Sequence, residues 1–415
     1  MTEMEKSQLK IQNVALVYLE RPTSDAEEEI AELHELVRSA LGEVKLFCRQ
    51  SRTVADPKTL IGSGKVKEIK SAIECCDCTI DVVVFSEHLN AMQRKNLQDE
   101  LDIAVIDNID LILDIFALRA TSAEGKKQVE LAQLSYSLAT RPEKDYSRQG
   151  GGIGTRGPGE TQLETDKRIA RQKIHRLREE LAKIQRQRAT TRKNRLENEV
   201  YTIALVGYTN AGKSTLFNRL ASSDVYADDR LFATLDTTIR KISVNGQTAL
   251  LCDTVGFIRN LPTMLIEAFK STLDEVTYAD LILNVCDASN PDVETHVKVT
   301  EEILAELGST APIVRVYNKC DKATCAPIFA GPCVCISALT GKNMDALLDV
   351  ISERISERYA TVTLKVPYGE NGKIASVLQK YATEISVEYC DTYALYHAKI
   401  LRKYLNLFEK YITII

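Results

Sequence analysis

The sequence predicts an α/β protein with several domains, and three observations support this fold class. The chain has 415 residues, whereas a typical domain has roughly 150, so two to four domains are expected. Apolar strand patterns alternate with amphipathic helix patterns in the N-terminal region and again after Tyr201, which favours helices packed on largely parallel sheets. Hydrophobic residues make up 44% and charged residues 27%, which excludes a wholly disordered or collagen-like chain.

The N-terminal region, residues 1–122, is predicted to form the first α/β domain. Residues 14–19 and 82–85 are short apolar runs of the kind found in buried strands. Between them, residues 25–41 carry apolar side chains at helical spacing, which predicts an amphipathic helix. Because strands and helices alternate in this way, a small sheet of largely parallel strands is expected.

Residues 123–199 are predicted to form an antiparallel helical hairpin. Along its second arm, apolar residues recur at steps of four and three, as in a coiled-coil seam: Ala170, Ile174, Leu177, Leu181 and Ile184. The first arm, residues 124–139, has Leu131, Leu134 and Leu138 at matching spacing. A glycine-rich loop, residues 148–160, joins the two arms.

The hairpin is also the basic part of the chain. The whole chain has a net charge of −5, but residues 141–199 contain 16 Lys and Arg against 9 Asp and Glu. A glycine loop lets the backbone approach a ligand closely, and arginine side chains bind phosphates and stack on bases. The alternative is a flexible linker beside a solvated helix face. We predict RNA contacts for six residues: Arg148, Gly151, Gly154, Arg156, Arg168 and Arg171.

Residues 200–359 are predicted to form a third domain, which begins with a phosphate-binding motif. Residues 207–214 fit the pattern G-x-x-x-x-G-K-[ST]. They follow an apolar strand pattern and precede a helix pattern, which is the context that a P-loop requires. In such a loop the backbone N–H groups surround phosphates. The lysine, here Lys213, then binds the β- and γ-phosphates, and the hydroxyl of Ser214 binds Mg²⁺.

Three later segments predict that the nucleotide is a guanine nucleotide. Asp253 is placed to hold Mg²⁺ through a water, and the N–H of Gly256, three residues later, to reach the γ-phosphate. The carboxylate of Asp321, in the sequence 318–321, can accept both the N1–H and the exocyclic amine of guanine. Adenine would leave that carboxylate unpaired. Residues 337–339 give a weaker signal, and the order of all these segments predicts a GTPase domain.

Together the motifs closely resemble the HflX family of translation-associated GTPases. The resemblance covers nearly the whole chain and rests on residues 232–236, 253–258, 128–134, 111–116 and, most specifically, 150–167. It implies a P-loop GTPase domain between an N-terminal α/β domain with a helical hairpin and a small C-terminal α/β domain, residues 360–415. It also implies GTP or GDP and Mg²⁺ as ligands, binding to the large (50S) ribosomal subunit and its rRNA, and splitting or rescue of stalled or idle ribosomes under stress.

The resemblance assigns a role to each motif residue. Lys213, Thr234 and Gly256 are the expected catalytic residues, and Ser214 and Thr234 the expected metal ligands, with Asp253 acting through water. Thr237 and Thr238 are nearby alternatives to Thr234 as the second metal ligand. Thr237 departs from the proline that the family often has at this position. The expected nucleotide-binding residues are Gly207, Tyr208, Thr209, Asn210, Ala211, Gly212, Lys213, Ser214, Thr215, Phe232, Ala233, Thr234, Leu235, Asp236, Asp253, Thr254, Val255, Gly256, Asn318, Lys319, Cys320, Asp321, Ser337, Ala338 and Leu339.

Two residues bear on the mechanism. Phe257 follows D-x-x-G, where many switch GTPases have a glutamine that orients the attacking water. Phenylalanine cannot hydrogen-bond that water, so we expect slow intrinsic hydrolysis that a ribosomal partner accelerates. Packing of Phe257 in a core, with another group orienting the water, is the alternative. Asn210 resembles an asparagine that helps some relatives bind K⁺, and a solvent-facing Asn210 is the alternative.

Other functions are open at this stage. A ribosome-assembly GTPase would bind precursor particles, and a signalling GTPase would have protein partners only. ATP binding by the N-terminal domain has no P-loop to support it, although the family resemblance leaves room for it. No run approaches the roughly 18 apolar residues of a membrane helix, and no secretory signal begins the chain. We therefore expect a cytoplasmic monomer whose 11 cysteines are reduced thiols.

Overall fold

A computed structural model describes most of the chain. The described residues are 11–22, 26–140, 158–197, 200–221, 231–232, 234–259, 265, 270–322 and 333–414. The chain divides into two compact units, one formed by Met1–Lys241 with Leu250–Gly341 and the other by Ile242–Ala249 with Lys342–Ile415. No helix among the described residues combines the length and the apolar character needed to cross a membrane.

The first unit begins with a parallel four-stranded sheet of order β2-β1-β3-β4. Its elements are β1 (Gln12–Glu20), α1 (Ala26–Ser39), β2 (Gly42–Ser51), α2 (Ser63–Glu74), β3 (Val82–Phe85), α3 (Ala91–Leu101), β4 (Ala104–Asp107) and α4 (Asn108–Arg119). The predicted strands at residues 14–19 and 82–85, the helix near 25–41 and the parallel sheet are therefore confirmed. Strand β2 was not predicted, because only one of its side chains is buried and its longest apolar run, residues 46–48, has three residues.

Two long helices, α5 (Ala123–Thr140) and α6 (Pro158–Glu197), follow. Lys127 pairs with Glu180 across 2.9 Å and Glu124 pairs with Arg188 across 2.8 Å. From the first ion pair to the second, the residue number falls on α5 and rises on α6. The helices are therefore antiparallel, as predicted. Ile174, Leu177 and Leu181 of the predicted seam are buried. Residues 141–157, which include most of the glycine-rich loop, lie outside the described residues.

A six-stranded sheet of order β10-β9-β8-β5-β7-β6 carries the P-loop. Its elements are β5 (Tyr201–Val206), α7 (Lys213–Ala221), β6 (Thr238–Val244), β7 (Gln247–Asp253), α8 (Lys270–Thr277), β8 (Leu281–Asp287), α9 (Val293–Glu306), β9 (Ile313–Asn318) and β10 (Cys333–Cys335). Strands β5, β8, β9 and β10 are mutually parallel. Their carboxyl ends therefore meet at one edge, where open α/β sheets bind ligands.

The second unit contains an antiparallel four-stranded sheet of order β12-β13-β11-β14. Its elements are α10 (Met344–Ser356), β11 (Tyr359–Pro367), α11 (Tyr368–Tyr381), β12 (Ala382–Tyr389), β13 (Tyr393–Leu401), a 3₁₀ helix (Arg402–Leu407) and β14 (Ile412–Ile414). Val362, Leu364 and Val366 alternate along β11 and are buried, which confirms the strand predicted there. The architecture is α/β throughout, with the P-loop on the larger sheet.

Candidate guanine-nucleotide site

The P-loop joins β5 to α7 and depends on two glycines that no other residue could replace without strain. Gly207 has φ +142°, and a Cβ there would lie 2.1 Å from the carbonyl oxygen of Val285. Gly212 has φ +90°, and a Cβ there would lie 2.2 Å from Nδ2 of Asn318. Both positions require the conformational freedom and small size of glycine. The loop is therefore held close to β8 and β9 at the edge of the sheet.

Lys213 begins α7, and its ammonium group is folded back over the loop. Nζ donates hydrogen bonds to the carbonyl oxygens of Gly207, at 3.0 Å, and Tyr208, at 2.7 Å. The side chain is buried, and burial lowers the pKa of Lys213 to about 8, although the nearby Asp253 carboxylate opposes this shift. A buried ammonium group whose hydrogen bonds go to neutral carbonyl oxygens is suited to bind an anionic ligand such as a phosphate.

Three oxygen-bearing side chains meet beside Lys213. The hydroxyl groups of Ser214 and Thr234 are 2.8 Å apart, and each lies 3.0 Å from Oδ2 of Asp253. The other oxygen, Oδ1, is buried and has no hydrogen-bond partner within the described chain. Hydroxyl and carboxylate oxygens are the ligands that Mg²⁺ prefers, so these residues fit the predicted metal site. Of the three candidate threonines, the structure brings Thr234 to this position, while Thr237 lines a different cavity.

The residues after Asp253 approach the P-loop from the other side. A Cβ on Gly256 would lie 2.9 Å from Nζ of Lys213 and 2.8 Å from Cγ2 of Thr209, so glycine is required there. The next residue, Phe257, pairs with the P-loop through its backbone, and its ring is only 1% exposed. The ring packs in the same apolar cluster as Val206 of β5. Phe257 is thus a core residue, and water must be oriented by another group.

The loops after β9 and β10 form the opposite end of the site. The side chain of Asn318 donates to the carbonyl oxygen of Ala211 at 2.9 Å and accepts from the N–H of Ala338 at 2.8 Å. It therefore ties the P-loop to both of these loops. A hydrogen bond from the Ser337 side chain holds the pKa of the Asp321 carboxyl below its ordinary value. Asp321 is therefore ionised at neutral pH and can accept two hydrogen bonds from a base.

These groups surround one cavity of about 330 Å³. Fifteen of the predicted residues line it: Thr209, Asn210, Gly212, Lys213, Ser214, Thr215, Phe232, Thr234, Thr254, Gly256, Asn318, Lys319, Asp321, Ser337 and Leu339. Ala233 lies outside the described residues. The other described residues of the predicted set do not line the cavity: Gly207, Tyr208, Ala211, Leu235, Asp236, Asp253, Val255, Cys320 and Ala338.

Comparisons with known proteins agree with this geometry. Residues 27–117 match the family described as "GTP-binding GTPase N-terminal", residues 119–195 the "GTP-binding GTPase Middle Region" and residues 202–319 the "50S ribosome-binding GTPase". The protein named "GTPase HflX" of Caldanaerobacter subterraneus subsp. tengcongensis is 44% identical over 82% of this chain and 80% of its own. That of Escherichia coli is 43% identical over 84% of each chain, and that of Akkermansia muciniphila 39% over the full length of both.

The chain belongs to the HflX family of GTPases. It is a GTP hydrolase, and the predicted family and enzyme class are confirmed. Among solved structures, the chain is similar to a GTP-binding protein from the archaeon Sulfolobus solfataricus in complex with GDP. That similarity has 27% identity and a TM-score of 0.46 and covers 84% of this chain and 99% of the other.

Three cavity residues of this HflX-family GTPase were not predicted from the motifs: Glu35, Arg38 and Lys322. Lys322 directly follows the 318–321 motif, so its position along the chain was a usable signal. Glu35 and Arg38 lie on α1, more than 160 residues before the P-loop. The apolar stripe of that helix predicts only its packing, and nothing in its polar side chains indicates a nucleotide cavity. The contact exists only because the tertiary fold brings α1 to the site.

Helix α1 also contacts the P-loop and the segment after Asp253. The Glu32 carboxylate accepts a hydrogen bond from the Tyr208 hydroxyl, and Glu28 pairs with the Arg259 guanidinium. The ring of Tyr208 stacks on that of His296, with 3.7 Å between centroids. Burial raises the pKa of Glu28 to about 7 and lowers the pKa of His296 to about 4. The N-terminal domain therefore contacts the nucleotide-binding loops directly.

Only two of the predicted RNA-contact residues are among the described residues, and neither lines this cavity. Arg168 and Arg171 are exposed on α6, whereas Arg148, Gly151, Gly154 and Arg156 fall outside the described residues. The described residues contain no group of three or more His, Cys, Asp or Glu side chains that could hold a metal ion. A metal in the cavity would therefore depend mainly on hydroxyl oxygens, water and the nucleotide.

Proposed function

We propose that this HflX-family GTPase binds the large ribosomal subunit in its GTP-bound state, that this binding splits stalled or idle ribosomes, and that hydrolysis to GDP then releases the contacts. The observation that carries the proposal is the surface of α6, a helix of 40 residues. Exposed cationic side chains are spread along its described part: Arg168, Arg171, Lys173, Arg176, Arg178, Lys183 and Arg186. Of these, Lys173 is paired with Glu130 and Arg176 with Glu180. The remaining cations along this rod are suited to bind a phosphate backbone. The family descriptions support the same partner.

The proposed chemistry follows from the arrangement of the cavity. Lys213 would bind the β- and γ-phosphates, because its buried ammonium group gains favourable charge interactions there. Ser214 and Thr234 would hold Mg²⁺, with Asp253 contributing through water, and the bound cation would neutralise the charge that develops during transfer. The backbone N–H of Gly256 would bind the γ-phosphate. Asp321 would select guanine.

Hydrolysis by the isolated protein should be slow. Phe257 has no hydrogen-bonding group, so it cannot orient the attacking water. Its buried ring agrees with the alternative that it packs in the core while another group orients the water. A group supplied or ordered by the ribosome would therefore accelerate the reaction. Equal turnover with and without large subunits, at saturating GTP, would contradict this part of the proposal.

K⁺ is a further candidate ligand of the phosphates. Asn210 is exposed and lines the cavity. We propose that it binds K⁺ there. Turnover in K⁺ should exceed turnover in Na⁺, and Asn210→Ala should abolish the difference. Identical rates in the two salts would remove K⁺ from the mechanism.

Sedimentation of ribosomes tests the proposed partner and action. The full chain should sediment with large subunits in a non-hydrolysable GTP analogue but not in GDP, and 70S particles should separate into subunits. The Lys213→Ala variant, which loses the phosphate contact, should do neither. Binding only to precursor particles would instead support a role in ribosome assembly. GTP-dependent binding that persists in Lys213→Ala would contradict the proposed switch.

A further inference from the structure

The segment that carries Thr234 also contains a carboxylate, that of Asp236, which is directed away from the nucleotide cavity. The side chain of Asp236, two residues after Thr234, accepts hydrogen bonds from Thr121 and Ser122. Oδ2 lies 2.9 Å from the N–H of Thr121, 2.7 Å from its hydroxyl and 2.7 Å from the N–H of Ser122, and Oδ1 lies 2.5 Å from the Ser122 hydroxyl. Four donors around one carboxylate form a firm attachment.

The donors belong to the N-terminus of α5, the first arm of the helical hairpin. Ser122 directly precedes the helix, and its hydroxyl accepts from the N–H of Gly125 at 2.8 Å, as an N-cap residue does. A negative charge at this end of a helix is further stabilised by the helix dipole. Burial alone would raise the pKa of Asp236, but the hydrogen bonds from Ser122 and Thr121 hold the pKa below its ordinary value. The charged Asp236 carboxylate therefore caps the N-terminus of α5 and joins it to the segment that carries Thr234.

Gly125 makes room for this contact. A Cβ at position 125 would lie 2.2 Å from Oδ1 of Asp236, so any larger residue would displace the carboxylate. Glycine is otherwise unfavourable inside a helix, by about 1 kcal/mol relative to alanine. The presence of glycine at position 125 is thus explained by its packing against Asp236. It also offers a way to break the contact without altering Asp236.

The same segment is held at its other side by the N-terminal domain. Phe232 packs edge-on against Phe116 of α4 with 4.8 Å between ring centroids. The N–H of Leu231 donates to the Ser39 hydroxyl, at the end of α1, across 2.9 Å. Thr234 therefore lies between two attachments, one at residues 231–232 and one at Asp236. Its position relative to Ser214 and Asp253 depends on both.

From this geometry we infer that Asp236 is a positioning residue, which places Thr234 for Mg²⁺ and GTP by anchoring it to the hairpin helix. The inference rests on the proposed role of Thr234 as a metal ligand. Since coupling between two sites is reciprocal, a partner that holds α5 also stabilises Thr234 in the metal-binding position. The hairpin arm and the nucleotide site would then respond to each other through a single carboxylate.

The test compares four single variants of the full chain: Asp236→Asn, Gly125→Ala, Thr234→Ala and Gly64→Ala. Gly64→Ala is the matched control, because position 64 is also in a helix but has nothing within 4 Å of a Cβ. The measurements are the affinities for a non-hydrolysable GTP analogue and for GDP, the Mg²⁺ concentration that gives half-maximal turnover, and kcat and KM without ribosomes.

Asp236→Asn and Gly125→Ala should each weaken binding of the GTP analogue at least about fivefold and raise the Mg²⁺ requirement. GDP affinity should stay within about twofold, because the Thr234 contact belongs to the triphosphate state. Gly64→Ala should behave as the unaltered chain. A general loss of structure would instead lower both affinities. If Asp236→Asn does not fold, Gly125→Ala decides, since alanine favours the helix itself.

The outcomes separate this inference from the proposed function. If Thr234→Ala leaves the Mg²⁺ requirement unchanged, the proposed metal site is wrong. If Thr234→Ala raises the requirement but neither Asp236→Asn nor Gly125→Ala does, the metal site stands and the positioning role of Asp236 is overturned. An equal loss of GTP and GDP binding in Asp236→Asn and Gly125→Ala also overturns the positioning role of Asp236. None of these measurements depends on whether ribosomes bind.

Discussion

The hydroxyl group of Tyr208 donates a hydrogen bond to the Glu32 carboxylate, with oxygen atoms 2.8 and 2.9 Å from it. This contact joins the second residue of the P-loop to the first helix of the N-terminal domain. The same hydroxyl accepts from the N–H of Arg259 at 2.7 Å, so one phenol links α1, the P-loop and the segment after Asp253. The nucleotide-binding loops and the N-terminal domain are thereby parts of one polar network.

Tyr208→Phe should destabilise the free protein at neutral pH by about 1.5–3 kcal/mol, because the largely buried Glu32 carboxylate loses a donor. Burial raises the pKa of Glu32, and it is the ionised form that needs the hydrogen bond. The penalty should therefore shrink as the pH falls toward the ordinary glutamate pKa of about 4.3. Urea unfolding at several pH values measures this. Tyr389→Phe, at an exposed position, is the control, and a pH-independent penalty would contradict the explanation.

GTP binding should depend on the protonation of Lys213. Burial lowers the pKa of Lys213 to about 8 in the free protein, and bound phosphates would raise it again. The lysine is therefore mostly charged below pH 8, and above it binding must be accompanied by proton uptake. The affinity for GTP should fall by up to about tenfold per pH unit above pH 8. Titrations between pH 7 and 9 check this, with guanosine as the control ligand. If guanosine and GTP show the same pH profile, the pH dependence of the affinity does not arise from Lys213.

The motifs revealed the nucleotide end of the site well, because each is local in the chain. Gly207, Lys213 and Asp321 belong to short segments whose spacing alone indicates their task. The role of α1 could not be found in this way, since Arg38 reaches the cavity through tertiary packing. Phe257 shows the same limit. The sequence indicated that it cannot orient water, and its burial in the core became evident only with the fold.

Strand β2 and the attachment of Asp236 illustrate the same physical reason. In β2 only one side chain is buried, so the short apolar run at residues 46–48 does not by itself indicate a strand. Pairing with β1 decides its structure. Asp236 was expected to bind the nucleotide, because the family resemblance places it in the same switch segment as Thr234. The structure directs its carboxylate to Ser122 instead, a partner 114 residues away in the chain. Long-range hydrogen bonds leave no periodic pattern in a sequence.

Arg38→Ala should weaken GTP binding by about two- to fivefold, the range of a partly exposed ion pair. The side chain lines the cavity and is 64% exposed, with Glu35 3.5 Å away. It can therefore turn toward a phosphate at little cost. The loss should diminish at high salt, because exposed charges are screened. Arg240→Ala, an exposed arginine that does not line the cavity, is the control. An equal loss for guanosine would indicate that Arg38 acts on the base or on folding.

Arg168→Ala and Arg171→Ala should reduce the salt dependence of large-subunit binding. Each phosphate contact contributes about 0.7–0.9 to the slope of log affinity against log salt, so each variant should lower the slope by that amount. Arg176, also on α6, is paired with Glu180 across 3.0 Å, so Arg176→Ala should change the slope less. Sedimentation at four salt concentrations measures the slopes. Unchanged slopes in Arg168→Ala and Arg171→Ala would place the rRNA contacts elsewhere.

Asp321→Asn should convert the preference of the site from guanine to xanthine. The Asp321 carboxylate is ionised at neutral pH because the Ser337 hydrogen bond lowers its pKa, so it accepts the two donors of guanine. An asparagine amide has one acceptor and one donor. It matches the N1–H and the C2 carbonyl of xanthine, whereas its own N–H group faces the exocyclic amine of guanine. GTP affinity should therefore fall on the order of 100-fold or more, while affinity for xanthosine triphosphate rises.

Competition binding with both nucleotides measures the change. Asp99→Asn, an exposed residue on α3, should alter neither affinity. A loss of GTP binding without any gain for xanthosine triphosphate would show that Asp321 supports the loop rather than selects the base.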